Sequence, residues 1–218
     1  MSEGVFITVE GVEGSGKSTQ ARLLAEYLRS MELRVTETRE PGGTEIGEAI
    51  RRVLLSPSRE EISAETELLL ILACRADHVE RVIKPALERG DVLISDRYAD
   101  ATVAYQGFGR GLDLERVEEL NEAATDGLSP DLTLLLDLEA EAGLARVEGR
   151  SRRGRTDRFE CETLEFHERV REGYRYVASR QPDRVKVIPA DNGIEAVQER
   201  IRAVVGEFLE TKVGVRDN

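Results

Sequence analysis

The chain has no tryptophan and, among 218 residues, only two cysteines, two methionines and two histidines. Cys74 and Cys161 lie far apart and in no metal or redox spacing, so they read as reduced thiols of a cytoplasmic protein. His78 and His167 sit on charged helical stretches without a Cys or carboxylate at ligand spacing, and both are set aside as metal or catalytic groups. No apolar run approaches the roughly 18 residues that a membrane span needs. The start, Met1-Ser2-Glu3-Gly4, has neither the basic nor the apolar part of a secretion signal. Basic residues are the minority, 31 Lys and Arg against 43 Asp and Glu, and the formal net charge is −12. That balance excludes a nucleic-acid coat and a polybasic membrane binder, both of which need clustered cations. What remains, 40% hydrophobic and 34% charged residues, describes a globular chain long enough for a real core. The length suits one domain over 1–218, with a frayed tail over about 211–218.

Apolar β-rich runs alternate with helical patterns. Residues 5–9, 34–38, 92–96, 132–137 and 185–188 read as strands. Helices are expected over 17–31, 47–55, 66–88, 114–125, 140–147, 160–179 and 194–209. The alternation predicts an α/β fold, a five-stranded parallel sheet with helices on both faces. Ligands bind such sheets beyond the carboxyl ends of the strands, so the chemistry should follow each strand.

After the first strand comes Gly11-Val12-Glu13-Gly14-Ser15-Gly16-Lys17-Ser18, with Thr19 next, in the strand-then-helix context that G-x-x-x-x-G-K-[ST] requires. Glycines let successive backbone N–H groups face phosphate oxygens, Lys17 adds a point charge, and Ser18 can ligate Mg2+. This is a P-loop, and it predicts a nucleoside triphosphate site. The third strand ends in Asp96-Arg97-Tyr98, the pattern of a Mg2+-organising carboxylate followed by a phosphate-binding guanidinium. A second strand ends at Asp137, but Leu138 and the acidic start of a helix follow it, which reads as helix capping.

These motifs occur in order with Arg39-Glu40-Pro41-Gly42-Gly43-Thr44, Leu72-Ala73-Cys74-Arg75, Ala104-Tyr105-Gln106-Gly107 and Asp157-Arg158-Phe159-Glu160. Together they resemble the thymidylate kinases over about residues 4–209. The resemblance implies a P-loop fold with a mobile lid, a homodimer, and transfer of the γ-phosphoryl of ATP to dTMP with Mg2+. It implies that Arg97 holds the acceptor phosphate with Arg39 nearby, that Glu13 contacts the deoxyribose, and that Arg75 reaches a thymine carbonyl. Thr102 and Gln106 then lie at the base edge, Tyr105 packs against C2′, and Arg146 and Ala190 line the adenine. The chain departs at Ile71, where the family commonly stacks a Phe on thymine. Isoleucine covers the base but forgoes a stack worth ~1–3 kcal/mol, which leaves the preference between dTMP and dUMP open.

The acceptor is a phosphate monoester, largely ionised at neutral pH, so the reaction needs charge neutralisation and positioning more than a base. The phosphate loop carries Glu13 and no Arg. The missing cation is expected from residues 149–158, a Gly- and Ser-containing segment with five arginines between Arg150 and Arg158, where Arg153 and Arg158 are the candidates carried forward with Arg150. Two other classes remain as alternatives. A deoxynucleoside kinase would need a carboxylate base at a Glu-Arg-Ser-type strand end. A non-catalytic ATP switch would not need Arg97, Tyr105 and the arginine-rich segment together. No Asn-Lys-x-Asp guanine-reading segment is present. Gly107 to Gly111 reads as a substrate-side loop or a flexible connection.

Overall fold

The computed structural model describes residues 4–56, 61–151 and 157–213. Five parallel strands form one sheet in the order β2-β3-β1-β4-β5. They are β1 Val5–Gly11, β2 Val35–Arg39, β3 Val92–Asp96, β4 Leu132–Asp137 and β5 Val185–Pro189. The three inner strands are almost wholly buried, and the edge strands β2 and β5 mix buried and open positions. That difference explains their sequences: inner strands covered on both faces are near-continuous apolar runs. Side chains alternate across the sheet. Val5, Ile7 and Val9 join the main core with Leu24 and Leu28, whereas Phe6 packs with Val79, Ile83, Leu93 and Tyr98.

Helix α1, Lys17–Ser30, buries Ala21, Leu24, Ala25 and Leu28, the i, i+3, i+4, i+7 stripe of an amphipathic helix. Truncating the fully buried Leu24 to Ala should cost ~2–5 kcal/mol. Helices α2 Glu45–Leu55 and α3 Ala64–His78 start at side-chain caps, where Thr44 accepts from Gly47 N–H and Ser63 from Thr66 N–H. The sequence pattern suggested one helix over 66–88. The chain instead widens into a π-helical turn at Val79–Ile83 and resumes as α4, Lys84–Glu88. Pro85 has no N–H to give to the preceding turn, which accounts for the interruption.

Helix α5, Ala99–Thr102, leads into a second π-helical stretch, Val103–Gly109. This corrects the loop reading of the region: Gly107 and Gly109 are buried in helical turns. Gly173 on the facing helix makes this packing possible, since a Cβ there would strike the Ala104 Cα. Helices α6 Leu114–Thr125, α7 Ala140–Ser151, α8 Leu164–Arg180 and α9 Ile194–Val213 complete the described chain. Register then sets the site. Val9 pairs with Asp96, and β1 runs on to Gly11, so the phosphate loop leaves the sheet beside the carboxyl end of β3. Among the described residues, no helix is long and apolar enough to cross a membrane.

Candidate active site

The phosphate loop wraps from β1 into α1 around left-handed glycines, and Gly16 (φ 95°) forms the N-cap of α1. Gly14 (φ 73°) abuts Gly143 of α7 so closely that a Cβ on either would overlap the other segment's backbone. Lys17 Nζ donates to Val12 O at 2.8 Å and lies 3.4 Å from Ser15 Oγ, which itself donates to Val12 O at 2.8 Å. The ammonium is thus curled back onto the loop. Burial, joined by repulsion from Arg97, pulls it down to about 8, against Glu13 and Asp96, which favour its charge.

Ser18 Oγ donates to Asp96 Oδ2 in a close contact. One hydroxyl and one carboxylate meet where β3 ends and α1 begins. That donor set fits Mg2+, which prefers few protein ligands and fills its octahedron with water and phosphate oxygens. No cluster of three His, Cys, Asp or Glu among the described residues forms a metal cage. The capping read at Asp137 is corrected: the carboxylate is gripped by Arg171 (2.7 and 3.1 Å) and Arg175 (3.0 Å) from α8.

Arg97 is the most constrained residue of the site. Its backbone is left-handed (φ 76°), a conformation that costs a non-glycine residue ~1–3 kcal/mol and persists only when its surroundings enforce it. Here Arg97 N–H donates to Val9 O, Arg97 O accepts from Ser95 Oγ, and the next amide, Tyr98 N–H, donates to Glu10 at 2.6 Å. The guanidinium pairs with Glu13 at 2.6 Å and donates to the hydroxyls of Tyr105 (2.8 Å) and Tyr174 (2.7 Å) and to Gly11 O (3.2 Å). It also lies over the Tyr105 ring, 4.7 Å from the centroid. Tyr105 donates to Glu13 (2.9 Å), and Tyr174 donates to Glu10 (2.8 Å). Burial alone would raise Glu13, but Arg97 and Lys17 outweigh it and hold the carboxyl down at about 2. Glu10 goes the other way: burial and nearby Asp100 push it up to about 8, with Arg97 opposing.

A cleft of about 290 Å³ runs past this cluster. Of the residues expected on sequence grounds, Glu13, Gly14, Gly16, Lys17, Ser18, Thr19, Asp96 and Arg97 line it on the loop side. Arg39, Ile71, Thr102, Tyr105 and Gln106 line the far side. Arg146 and Ala190 come together outside the cleft: the guanidinium donates to Ala190 O at 3.2 Å and to Gly14 O at 3.4 Å, tying the loop after β5 to the phosphate loop.

Two expected residues are placed differently. Arg75 does not line the cleft. It is 1% exposed and donates to Glu40 (2.8 Å), Thr102 (2.8 Å), Asn121 (2.5 Å) and Tyr98 O (3.0 Å), so it braces Thr102 from behind. Arg158 also points elsewhere, to Leu54 O (2.9 Å) and to Glu67 (2.5 Å). Arg153 lies outside the described residues. The sequence reading missed Arg51, a second far-side cation beside Arg39 that donates to Pro41 O at 2.7 Å. It also missed Asp157 and Phe159 in the lining. Arg51 lies on α2, about two helical turns past its start at Glu45, and only the fold shows which way it faces.

The match with known proteins covers the same elements. A thymidylate kinase family model matches residues 9–201. The thymidylate kinase of Pseudomonas putida (strain GB-1) is 51% identical over 207 residues, spanning 95% of this chain and 97% of that protein. That of an Exiguobacterium species is 48% identical over 207 residues, with 95% and 96% coverage. The crystal structure of thymidylate kinase from Ehrlichia chaffeensis superposes with a TM-score of 0.74 at 34% identity, covering 93% of this chain and 99% of its own. The phosphate loop, the Asp96-Arg97 strand end and the far-side lining all fall inside the matched region, and the chain belongs to the thymidylate kinase family.

Proposed function

We propose that this enzyme transfers the γ-phosphoryl group of ATP to the 5′-phosphate of dTMP, giving dTDP and ADP. The observation that carries the reading is a single cleft with Lys17 of the phosphate loop on one wall and the Arg97–Glu13–Tyr105 cluster beside it. ATP lies with its phosphates on residues 11–19 and its adenine toward Arg146 and Ala190. The acceptor lies against Arg97 and Arg39, with its sugar at Glu13 and Tyr105 and its base toward Ile71, Thr102 and Gln106. Ser18 and Asp96 hold Mg2+, which when bound neutralises charge on the transferring phosphoryl group.

The acceptor phosphate is already an anionic nucleophile, so the residues position and neutralise. Lys17 follows the β- and γ-phosphate oxygens, and Arg97 fixes the attacking phosphate. Tyr105, held as a phenol by burial, leaves no room for a 2′-hydroxyl. The remaining cation comes from the arginine-rich segment, with Arg153 and Arg150 as its candidates, because Arg158 Nε and Nη2 are engaged with Leu54 O and Glu67. We read the enzyme as one kinase domain acting as a cytoplasmic homodimer. The exposed apolar residues Ile46 and Val53 on α2 and Leu69 on α3 support a partnered face.

The test is ADP release from ATP and Mg2+ with dTMP, dUMP, dCMP, UMP and thymidine offered separately. Turnover with dTMP and not with thymidine is the expected result. Turnover with thymidine alone would establish the deoxynucleoside kinase, and ATP binding without acceptor-dependent turnover would establish the switch.

Lys17 gives a second, independent result. In the free enzyme its ammonium is lowered to about 8, so at pH 8.5 it is largely deprotonated. Triphosphate oxygens favour the charged form and raise it again, so ATP binding at pH 8.5 takes up roughly half a proton or more per chain. At pH 6.5 the group is protonated before and after binding, and its uptake vanishes. Calorimetric titrations in buffers of different ionisation enthalpy read this directly, after correction for ATP itself. Equal uptake at both pH values would contradict it.

A further inference from the structure

Glu67 is fully buried on α3, behind the cleft wall and not in its lining. Its Oε1 accepts from Gln106 Nε2 (2.8 Å) and Arg110 Nε (3.1 Å), and its Oε2 from Arg110 Nη2 (3.0 Å) and Arg158 Nη2 (2.5 Å). Ion-paired with two guanidinium groups, Glu67 offers acceptors and no donor. The amide of Gln106 can meet it only with its NH2. The two ends of a side-chain amide are chemically opposite, and the partner decides which end points where. With the nitrogen committed to Glu67, the oxygen is the end left for the cleft, which Gln106 lines.

We propose that Glu67 is a specificity-positioning residue: by locking the Gln106 amide, it presents a hydrogen-bond acceptor to the substrate base and so selects a pyrimidine that carries hydrogen on N3. The inference rests on dTMP as the acceptor nucleotide. Thymine and uracil have N3–H, which pairs with the amide oxygen. Cytosine has a lone pair at N3, so two acceptors would face each other in a buried place, and neither would be satisfied. Ile71, on the same side of the cleft, contacts without direction, so discrimination of the base edge falls to the polar groups. A Glu67→Gln side chain removes the constraint, since an amide can meet Gln106 with either end and lets it turn over.

The experiment compares kcat/KM for dTMP and dCMP in wild type, Glu67→Gln, Gln106→Met and the double variant. The dTMP:dCMP ratio should fall about tenfold or more in Glu67→Gln. It should fall similarly in Gln106→Met, and no further in the double variant, because both act through one amide. Equal losses on both substrates in Glu67→Gln, or an undiminished ratio in Gln106→Met, would overturn the proposal. If Glu67→Gln does not fold, the Gln106 side-chain NH2 of wild type decides by NMR. Slow solvent exchange already in the free enzyme, together with the lost ratio in Gln106→Met, supports the proposal. Slowing that comes only with dTMP places the NH2 toward the base and overturns it. A wild-type enzyme inert on dTMP is a different failure, that of the proposed reaction.

Discussion

Arg97→Ala lowers kcat/KM for dTMP by about 10³-fold, the scale of removing a principal charge-stabilising contact at a transferring phosphate. The loss exceeds that of one cation because the guanidinium also neutralises Glu13 and orders the Tyr105 and Tyr174 hydroxyls. Without it, Glu13 loses its ion-pair partner and stands as an anion where the acceptor phosphate must lie. The measurement is steady-state kinetics with circular dichroism to confirm folding. Tyr174→Phe is the matched control. It leaves the guanidinium in place and removes only the hydroxyl that accepts from Arg97 and donates to Glu10, so its loss is about tenfold and falls mainly on kcat. If Arg97→Ala retains a tenth or more of wild-type kcat/KM, the acceptor phosphate is held elsewhere.

Arg153→Ala lowers kcat by about 10²-fold or more with little change in the affinity for either nucleotide, since its charge is required in the transition state. Arg158→Ala behaves differently. It removes the ion pair to Glu67 and the bond to Leu54 O, so the expected outcome is a lower melting temperature with a smaller loss of kcat. Stopped-flow or steady-state rates set beside thermal melts separate the two. A full loss of turnover in Arg158→Ala, with Arg153→Ala near normal, would move the catalytic cation to Arg158 and require it to leave Glu67.

The strands were legible because covered parallel strands have an unmistakable composition, and the phosphate loop because its glycines, Lys17 and Ser18 are contiguous. The π-helical turns were not, since widening by one residue leaves no period of its own, and glycines 107 and 109 resemble those of a loop. The roles of arginines were least legible of all. Arg75 and Arg158 each carry a motif match, yet their partners Glu40 and Glu67 stand 35 and 91 residues away. Pairing over such separations is decided by the fold, as is the direction Arg51 faces. His78 shows the same limit: it is set aside on sequence grounds for want of a partner at ligand spacing, and in the structure its Nδ1 meets Glu40, 38 residues away in the chain, at 2.9 Å.

The contact between Gly14 and Gly143 has a mechanical meaning. Helix α7 touches the phosphate loop at Gly143 and ends at Ser151, about 12 Å further along its axis at 1.5 Å per residue. The arginine-rich stretch begins there. With no side chain to cushion the joint, the loop is a fulcrum and α7 a stiff arm. A tilt of about 5° at the pivot swings the far end by about 1 Å, a distance that matters for the geometry of a transferring group. The phosphate loop and the start of the arginine-rich stretch are therefore the two ends of one short, stiff connection.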